Sequence, residues 1–251
     1  MASHTVVLIT GVNRGIGRAL FEIYLSRPGH IVIGAVRDPA SPISQSLHAL
    51  PTGPNSKAII IKIDSASETD ARDAVQSLRA DHDIPALHLV IANAGILTAG
   101  FPLVKDVRPA DMKTHFDVNT VGPVILFQAV LPLLQASARP PKFATIGSSA
   151  GSIGGMELCP FPNAAYGPTK AALHYLTKKI HVEHPELIAL PIDPGWVRTE
   201  MGDGAARNFG LAEAELEVGE SAAGIVKLLD DATREKSSGK LFKWDGEEFP
   251  W

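Results

Sequence analysis

The stretch Thr5-Val-Val-Leu-Ile-Thr-Gly-Val-Asn-Arg-Gly-Ile-Gly-Arg-Ala-Leu-Phe-Glu-Ile-Tyr-Leu25 decides the fold. Its first six residues are apolar or β-branched, which is typical of a strand buried on both faces. Three glycines follow the strand, and the segment after them has the spacing of a helix. Glycines here allow a tight turn and a close approach to a diphosphate, which N–H groups at the helix N-terminus can bind. An ordinary strand-to-helix turn is the alternative, but the position of the motif at the first strand favours a dinucleotide site.

Strands alternate with helices over the rest of the chain, without a repeat or an interior linker. This order is typical of a parallel sheet with helices on both faces. We therefore predict an α/β fold with a single Rossmann domain over residues 1–251, built on a doubly wound, mostly parallel, seven-stranded sheet. Residues 202–216 are glycine-spotted and poorly patterned, so we expect a substrate loop or lid at about 196–216. The later strands are predicted at 30–36, 57–63, 87–92, 142–146, 187–192 and 239–244, and the helices at 18–25, 44–50, 68–80, 111–134, 165–181 and 213–230.

Size, charge and cysteine use exclude several classes of protein. The 251 residues carry a net charge of -4 with a pI near 6.1, whereas general nucleic-acid or membrane-surface binders need a basic face. The single cysteine, Cys159, permits no intrachain disulfide and suits a reducing compartment. We find no signal-peptide pattern, no stretch near the ~20 apolar residues that cross a bilayer, and no metal-ligand spacing among the nine histidines. We expect a soluble, cytoplasmic protein without a metal.

The end of the second predicted strand bears on the choice of cofactor. An acidic residue there binds the ribose hydroxyls of NAD, whereas an arginine accommodates the 2′-phosphate of NADP. The chain has Ala35 at this position and Arg37 just after it, and Arg14 lies in the glycine loop. Asp38 weakens the inference, because its carboxylate could pair with Arg37. We predict NADP in preference to NAD.

Polar or small side chains follow three other predicted strands. The carboxyl ends of parallel strands meet at the crevice where ligands bind. Asp64 follows the third strand and either borders an adenine or caps a turn. Asn93 and Gly95 follow the fourth strand, and Ser148 and Ser149 follow the fifth. Either serine hydroxyl points at the same crevice, so both are candidates.

Asn119 interrupts the long predicted helix 111–134. It is a polar residue in mid-helix, and Gly122-Pro123 follows it at once, so local helix propensity is broken twice. Such breaks tend to occur at functional sites. The alternative is a polar side chain that satisfies a kink in the helix.

Tyr166 and Lys170 lie four residues apart at the start of a predicted helix, and therefore on one face of it. A phenol has an ordinary pKa of about 10, and a cation beside it favours the phenolate. We expect the pKa of Tyr166 to fall, so that the phenol exchanges a proton with an alcohol or carbonyl near neutral pH. By itself, this spacing also fits a surface lysine that shares a helix face with a tyrosine by accident.

Residues 152–165 form a loop that is apolar enough to line a pocket. We expect Cys159 and Phe161 in this loop to contact the substrate, together with Trp196 and Met201 from the segment after the sixth strand. Cys159 has no sequence neighbour that would activate its thiol, so we predict that it packs rather than reacts.

Six short motifs occur in the order in which the short-chain dehydrogenase/reductase family has them, over essentially the whole chain. In the segments Pro194-Gly-Trp-Val-Arg-Thr-Glu-Met201 and Lys243-Trp-Asp-Gly-Glu-Glu-Phe-Pro-Trp251, the chain resembles the sniffer and C-factor branch of this family most. That branch includes carbonyl reductases and fungal ketoreductases of secondary metabolism. The gap from Ser148 to Tyr166 is several residues longer than in the commonest members, so the loop between them must bulge. The motifs are Thr10-Gly-Val-Asn-Arg-Gly-Ile-Gly17, Ala92-Asn-Ala-Gly95, Asn119, Ser148 before Gly151, Tyr166-Gly-Pro-Thr-Lys170 and Asp193-Pro-Gly195.

The resemblance implies roles for these residues. Tyr166 is implied as the general acid or base, and Lys170 as the residue that lowers its pKa and holds the nicotinamide ribose. Ser148 is implied to orient the substrate oxygen, and Asn119 to hold a water that links Lys170 to solvent. The implied cofactor-binding residues are Gly11, Asn13, Arg14, Gly15, Ile16, Gly17, Asp64, Asn93, Gly95, Tyr166, Lys170, Pro194, Gly195, Val197 and Thr199, and the position of Arg37 at the strand end adds that residue to the predicted set.

We therefore predict an NADP(H)-dependent oxidoreductase that interconverts a ketone or aldehyde and an alcohol by hydride transfer. A non-catalytic, dinucleotide-binding redox sensor is the alternative, although such proteins usually lose the tyrosine or the lysine. A nucleotide-sugar epimerase would have a different glycine spacing. The oligomeric state stays open among monomer, homodimer and homotetramer, since relatives often pair through the two long helices.

Overall fold

Eight strands form one sheet in the computed structural model, which describes residues 4–98, 100–158 and 160–251. They are β1 (Thr5–Thr10), β2 (His30–Val36), β3 (Lys57–Lys62), β4 (Leu89–Ala92), β5 (Lys142–Ile146), β6 (Ile188–Asp193), β7 (Leu241–Lys243) and β8 (Glu248–Phe249). Their order across the sheet is β3-β2-β1-β4-β5-β6-β7-β8. The order reverses at β1, which pairs with β2 on one side and β4 on the other. A crevice for ligands opens outside the strand ends at such a reversal.

Helices cover both faces of this sheet, as predicted. Apolar side chains of the third, fifth and sixth helices form one core cluster, and those of the first and eighth form the other. The helices are α1 (Gly15–Ser26), α2 (Pro42–Gln45), α3 (Asp70–Ala80), α4 (Pro109–Phe116), α5 (Gly122–Gln135), α6 (Gly167–Glu183), α7 (Glu200–Asn208) and α8 (Val218–Asp231), and short 3-10 turns lie at Ser46–Ala49, Ser149–Gly151 and Met156–Leu158.

The strand β1 lies between the two clusters. Leu8 packs into one cluster, whereas Val7 and Ile9 pack into the other, and all three side chains are fully buried. Burying each contributes about 1.5–3 kcal/mol. Both faces of the strand are apolar for this reason, and the sequence is a continuous apolar run instead of an alternating one.

The long helix predicted at 111–134 is divided by one turn of π-helix, Asp117–Val121, between α4 and α5. The whole helical run Pro109–Gln135 is long and apolar enough to cross a membrane by length and composition alone, contrary to our expectation. In the structure its apolar residues Leu126, Val130 and Leu133 are buried in the core between α3 and the sheet. Core packing accounts for its apolar composition.

The chain adds an eighth strand that the sequence does not predict. The tail 247–251 packs back as expected, but Glu248–Phe249 also pairs antiparallel with β7. A tight turn makes the pairing possible, because Gly246 adopts a left-handed conformation with φ +91° and its N–H donates to Lys243 O. A strand of two residues carries too little pattern to be predicted.

The segment 196–216 is more regular than its composition suggests. Residues 200–208 form the helix α7, where we expected a poorly patterned stretch. The Thr199 hydroxyl caps this helix by accepting from Gly202 N–H at 3.0 Å. A parallel bridge between Val197 and Leu216 closes the segment at its base.

Candidate active site

The glycine loop after β1 is shaped by backbone conformation. Gly11 and Gly15 adopt left-handed φ values of +71° and +57°, which favour glycine strongly. A Cβ on Gly17 would lie 2.2 Å from Gly11 O, so the loop closes on itself only without a side chain there. The first N–H groups of α1 stay free of any side-chain cap. A cradle of this kind suits a diphosphate. Asn13 lies in the same loop and Ile16 in the first turn of α1.

Asn93 braces the cradle against the neighbouring strand. Its amide donates to Thr10 O at 2.8 Å, and the Thr10 hydroxyl accepts from Asn93 N–H and Ala94 N–H at 3.0 Å each. The ends of β1 and β4 are thereby fixed to one another. Asn93 therefore shapes the wall of the crevice through hydrogen bonds to protein.

Asp64 serves as a turn residue after β3 and also lines the crevice. Its carboxylate accepts from Ala66 N–H at 3.0 Å. Thr10 and Ala94 line the same small cavity beside it. The hydrogen bond to Ala66 agrees with the interpretation as a turn residue, and the contact of Asp64 with an adenine stays a prediction.

Arg37 and Arg14, the two arginines that we predicted to bind the cofactor, differ in their contacts. Arg37 is exposed after β2 and forms no ion pair within the described residues. Asp38 accepts from Ala40 N–H at 2.9 Å instead of pairing with Arg37. Arg14 extends across the crevice and forms an ion pair with Glu200 at the start of α7. Only Arg37 therefore keeps its guanidinium unpaired at the strand tip.

Asn119 lies in the π-helical turn and is 1% exposed. Its side chain accepts from Ile96 N–H at 2.8 Å and donates to Ile96 O at 3.0 Å and to Thr169 Oγ1 at 3.2 Å. These bonds join the loop after β4 to α6. A Cβ on Gly95 would lie 3.2 Å from Asn119 Oδ1 and 3.8 Å from Lys170 Nζ, so the amide and the ammonium both border that glycine.

Lys170 is almost fully buried, with 4% of its surface exposed. Its ammonium donates to Ile146 O at 2.7 Å and lies 5.5 Å from the centre of the Tyr166 ring. Burial lowers the pKa of Lys170 to about 8, and the nearby Asp193 carboxylate acts in the opposite direction. The group remains mostly cationic at neutral pH.

Tyr166 immediately precedes α6, and its pKa moves the opposite way from our expectation. Enclosure of the hydroxyl raises the pKa of Tyr166, and the Asp193 carboxylate raises it further, whereas an interaction with the Ser148 hydroxyl lowers it. We expected a fall caused by Lys170. That prediction was wrong for this state of the protein, because desolvation and Asp193 outweigh the favourable groups.

Ser148 and Ser149 point in different directions. Ser148 interacts with the Tyr166 phenol, and its hydroxyl also accepts from Ala150 N–H at 3.2 Å. Ser149 hydrogen-bonds to the Asp193 carboxylate, whose pKa is nevertheless raised by burial. The 3-10 turn that begins at Ser149 packs directly on α6, since a Cβ on Gly151 would lie 2.6 Å from Ala171 N. Ser148 is therefore the serine beside the tyrosine.

The segment after β6 forms the wall opposite the glycine loop. Gly195 adopts φ +79°, and a Cβ there would lie 2.8 Å from Leu216. Pro194 O accepts from Ser221 Oγ at 2.6 Å, and Val197 is buried. The methyl group of Thr199 faces Gly15 across the crevice. Of the four residues predicted on the nicotinamide side, Thr199 contacts the glycine loop directly, and the role of all four stays a prediction.

A cavity of about 260 Å³ lies between the loop after β4 and α7. Four aromatic rings from separate segments pack beside it, with centroids 4.7 to 6.2 Å apart. The rings belong to Phe101, Phe161, Trp196 and Phe209. The cavity is lined by Leu97, Thr98, Gly100, Phe101, Glu200, Met201, Gly204, Ala205 and Asn208. Cys159, which we also expected to contact the substrate, lies outside the described residues.

From the sequence we predicted that Phe161, Trp196 and Met201 contact the substrate. We did not predict a role in the site for Phe101, Phe209 or Asp193. Phe101 and Phe209 lie in loops whose local pattern carries no signal, and only the fold brings them together. Asp193 belongs to the motif Asp193-Pro-Gly195, in which we assigned roles only to the proline and the glycine. Its position at a strand end beside the crevice is the signal that could have identified it.

Comparisons with known proteins agree with this arrangement. Residues 5–208 match the family model described as short chain dehydrogenase. The chain is 42% identical to a short-chain dehydrogenase of Neurospora crassa, with 98% of each chain covered. It is also 42% identical to a norsolorinic acid ketoreductase of Dothistroma septosporum, covering 100% of this chain and 94% of that protein.

Two solved structures with a similar fold are carbonyl reductases. An NADPH-bound carbonyl reductase from chicken fatty liver superposes with a TM-score of 0.84 at 28% identity, covering 99% of this chain and 100% of that one. The carbonyl reductase Sniffer of D. melanogaster follows with a TM-score of 0.83 at 25% identity and the same coverage. The chain therefore belongs to the short-chain dehydrogenase/reductase family and is an NAD(P)-dependent oxidoreductase.

Proposed function

We propose that this protein is an NADP(H)-dependent carbonyl reductase, a ketoreductase in which Tyr166 exchanges a proton with the substrate oxygen. The observation that carries the proposal is the convergence of Tyr166, Lys170, Ser148 and Asn119 beside the loop after β4, which contacts the glycine cradle through Ala94 and lines the cavity through Leu97 and Thr98. When bound, the cofactor supplies the hydride.

The Tyr166 phenol can serve as the acid in the reductive direction. It is protonated near neutral pH, which is the form that must donate to a carbonyl oxygen as hydride arrives. Ser148 lies beside the phenol and can donate a second hydrogen bond to the same oxygen. The Lys170 ammonium favours the phenolate that donation leaves behind.

Reprotonation of Tyr166 needs a route from solvent. Lys170 is buried, so its ammonium can pass a proton onward only through a neighbour or a water. Asn119 borders Gly95 together with Lys170, and we assign it the placement of such a water. This role comes from the family resemblance and adds to the three hydrogen bonds by which Asn119 braces the fold.

The NADP preference rests on Arg37. Its guanidinium is exposed and unpaired at the tip of β2, within the part of the chain that the structure describes, and Asp38 is engaged in a turn. An arginine there can bind a 2′-phosphate, and no carboxylate stands ready for the ribose hydroxyls of NAD. The bound NADPH of the chicken carbonyl reductase supports the same choice.

The substrate that we propose is an apolar ketone or aldehyde. The four aromatic rings, together with Leu97 and Met201 in the cavity lining, favour such a molecule, and Thr98, Glu200 and Asn208 add polar groups to the lining. The relatives named norsolorinic acid ketoreductase support ketone reduction in secondary metabolism as the setting. Segment 196–216, with α7, serves as the lid over this cavity.

We also propose a homodimer that forms through the two long helices. Val121, Tyr175 and Val182 are exposed there with 46%, 66% and 61% of their surfaces accessible. Sedimentation of the purified protein at several concentrations would test this assembly.

A cofactor and carbonyl screen tests the proposed activity. NADPH and NADH are titrated first, and the better ligand is then mixed with a panel of apolar ketones, aldehydes and quinones. We expect tighter binding of NADPH and its oxidation by at least one apolar ketone. Binding without oxidation on the whole panel would indicate the redox-sensor alternative, and turnover of UDP-sugars would indicate an epimerase.

A further inference from the structure

His174 is a buried histidine that the proposed reaction leaves without a role. It lies one helical turn after Lys170 on α6 and is 2% exposed. Its Nε2 accepts a hydrogen bond from Ser148 N–H at 3.3 Å. The ring also packs against the residue before this serine, since a Cβ on Gly147 would lie 2.5 Å from Nε2.

The other ring nitrogen has no partner. Because Nε2 accepts a hydrogen bond, the neutral ring carries its proton on Nδ1. Nδ1 is buried and makes no hydrogen bond with the described residues. A buried donor of this kind costs about 1–3 kcal/mol, so packing and hydrogen bonding alone do not account for a histidine here.

The surroundings keep the ring neutral and fixed. Burial and the Lys170 ammonium together lower the pKa of His174 to about 3, so the acceptor on Nε2 persists at any physiological pH. The Trp251 ring packs edge-on against the imidazole, with centroids 6.1 Å apart, and Lys178 lies over the Trp251 ring. Ser152 Oγ donates to Pro250 O at 2.6 Å, which ties the tail to the loop after Ser148.

We propose that His174 is a positioning residue for Ser148: its Nε2 holds the Ser148 N–H and so directs the Ser148 hydroxyl toward the Tyr166 phenol. The proposal rests on the proposed function, since Ser148 matters only if it orients a substrate oxygen. Ser148 lies in extended backbone between Gly147 and a 3-10 turn. Apart from the bond to His174, no side chain holds its N–H among the described residues.

Two substitutions separate positioning from packing. His174→Leu fills similar space but removes the acceptor, whereas His174→Gln can place its Oε1 near the position of Nε2 and accept from Ser148 N–H. We expect His174→Leu to lower kcat about tenfold to a hundredfold, the scale that a displacement of about 1 Å costs in an active site. We expect His174→Gln to keep kcat within about threefold of wild type, since the acceptor is retained.

The melting temperature of the variants distinguishes a positioning role of His174 from a packing role. His174→Leu removes the unpartnered Nδ1 donor but leaves the Ser148 N–H without its acceptor, and because these two effects on stability oppose each other the melting temperature should stay close to that of the wild type while kcat falls. The dissociation constant of NADPH should stay within about twofold of wild type, because the glycine cradle is untouched.

Thr177→Val on the same helix is the matched control, since Thr177 is buried and bonds to Thr145 and Leu173, away from Ser148. This control should lower stability and leave kcat unchanged.

The values of kcat, melting temperature and NADPH affinity in the His174 variants either support or overturn the proposal. Loss of kcat in His174→Leu with stability and NADPH affinity retained, and recovery in His174→Gln, supports the proposal. Wild-type kcat in His174→Leu would overturn it, and so would a parallel fall of kcat, melting temperature and NADPH affinity or a failure of that variant to fold. The proposed function fails separately if Tyr166→Phe keeps wild-type turnover, whatever the His174 variants do. A wild-type protein without carbonyl turnover would overturn both.

Discussion

The two sides of the crevice are built in different ways. The half that we propose for the cofactor, here called the cofactor half (residues 10–17, 35–38, 64–65 and 93–95), consists of strand ends and glycines, and backbone conformation gives it its shape. The half that we propose for the substrate, here called the substrate half (residues 97–101, 161 and 196–209), consists of side chains that meet from three separate segments. Tyr166, Lys170 and Ser148 lie between the two halves. Changes in one half should therefore affect the binding of one ligand and spare the other.

The largest effect should come from filling the cradle. Gly17→Ala would place a Cβ 2.2 Å from Gly11 O, so the loop must open. We expect the dissociation constant of NADPH to rise about a hundredfold or more, which corresponds to about 2.7 kcal/mol. Fluorescence titration of NADPH measures it.

Gly219→Ala is the control for that change. Nothing lies within 4 Å of a Cβ built on Gly219, and its φ is not in the left-handed region. Alanine in α8 should leave NADPH affinity unchanged and raise stability by up to about 1 kcal/mol. Equal losses of affinity in the two variants would contradict a specific cradle at Gly17.

Arg37→Ala should change which dinucleotide binds. Loss of a charge-assisted hydrogen bond to a phosphate costs about 1.5–3 kcal/mol, so NADPH affinity should fall about tenfold or more. NADH affinity should barely change, because NADH has no 2′-phosphate. Parallel titrations with both cofactors provide the measurement, and equal losses for both would mean that Arg37 does not select NADP.

A smaller effect is expected in the substrate half. Phe209 packs against Phe101, Phe161 and Trp196, and each aromatic pair is worth about 0.5–1.5 kcal/mol. Phe209→Ala should raise KM for an apolar ketone about threefold to tenfold while NADPH affinity stays constant. Steady-state kinetics at saturating NADPH will show it. A matching loss of NADPH affinity would argue that the two halves are not independent.

The smallest effect concerns acid stability. The pKa of His174 falls from its ordinary value of about 6.5 to about 3 on folding, so the unfolded chain binds an extra proton between these values. The contribution of the neutral ring to stability is fully present above about pH 6.5 and is lost as the pH falls toward 3. Lowering the pH from about 7.5 to about 6 should therefore reduce the free energy of unfolding by roughly 1 kcal/mol through this group. Urea unfolding at both pH values, in wild type and His174→Gln, measures it, and an identical pH dependence in both proteins would contradict the assignment.

The same contrast explains what could be predicted from the sequence. Gly11, Gly15 and Gly17 follow a buried strand directly, so local pattern alone predicts the cradle, and the parallel fold with helices on both faces is confirmed. Phe101 and Phe209 are more than a hundred residues apart in the chain, so no local pattern relates them. The strand β8 is too short to show alternation.

The direction of the Tyr166 pKa could not be predicted either. Sequence spacing identifies Lys170 as a neighbour, but it does not show that Asp193 faces both groups or how deeply the hydroxyl is enclosed. Spacing gives the partners of a titratable group along one helix, whereas its desolvation depends on every element that packs around it.

The most direct test of the central claim is the rate of hydride transfer in Tyr166→Phe. A single turnover with saturating NADPH and ketone is followed by loss of NADPH absorbance, alongside the NADPH dissociation constant. We predict a rate at least about a hundredfold below wild type, the usual scale for loss of a general acid, with NADPH affinity within about twofold. A wild-type rate in this variant would contradict the account.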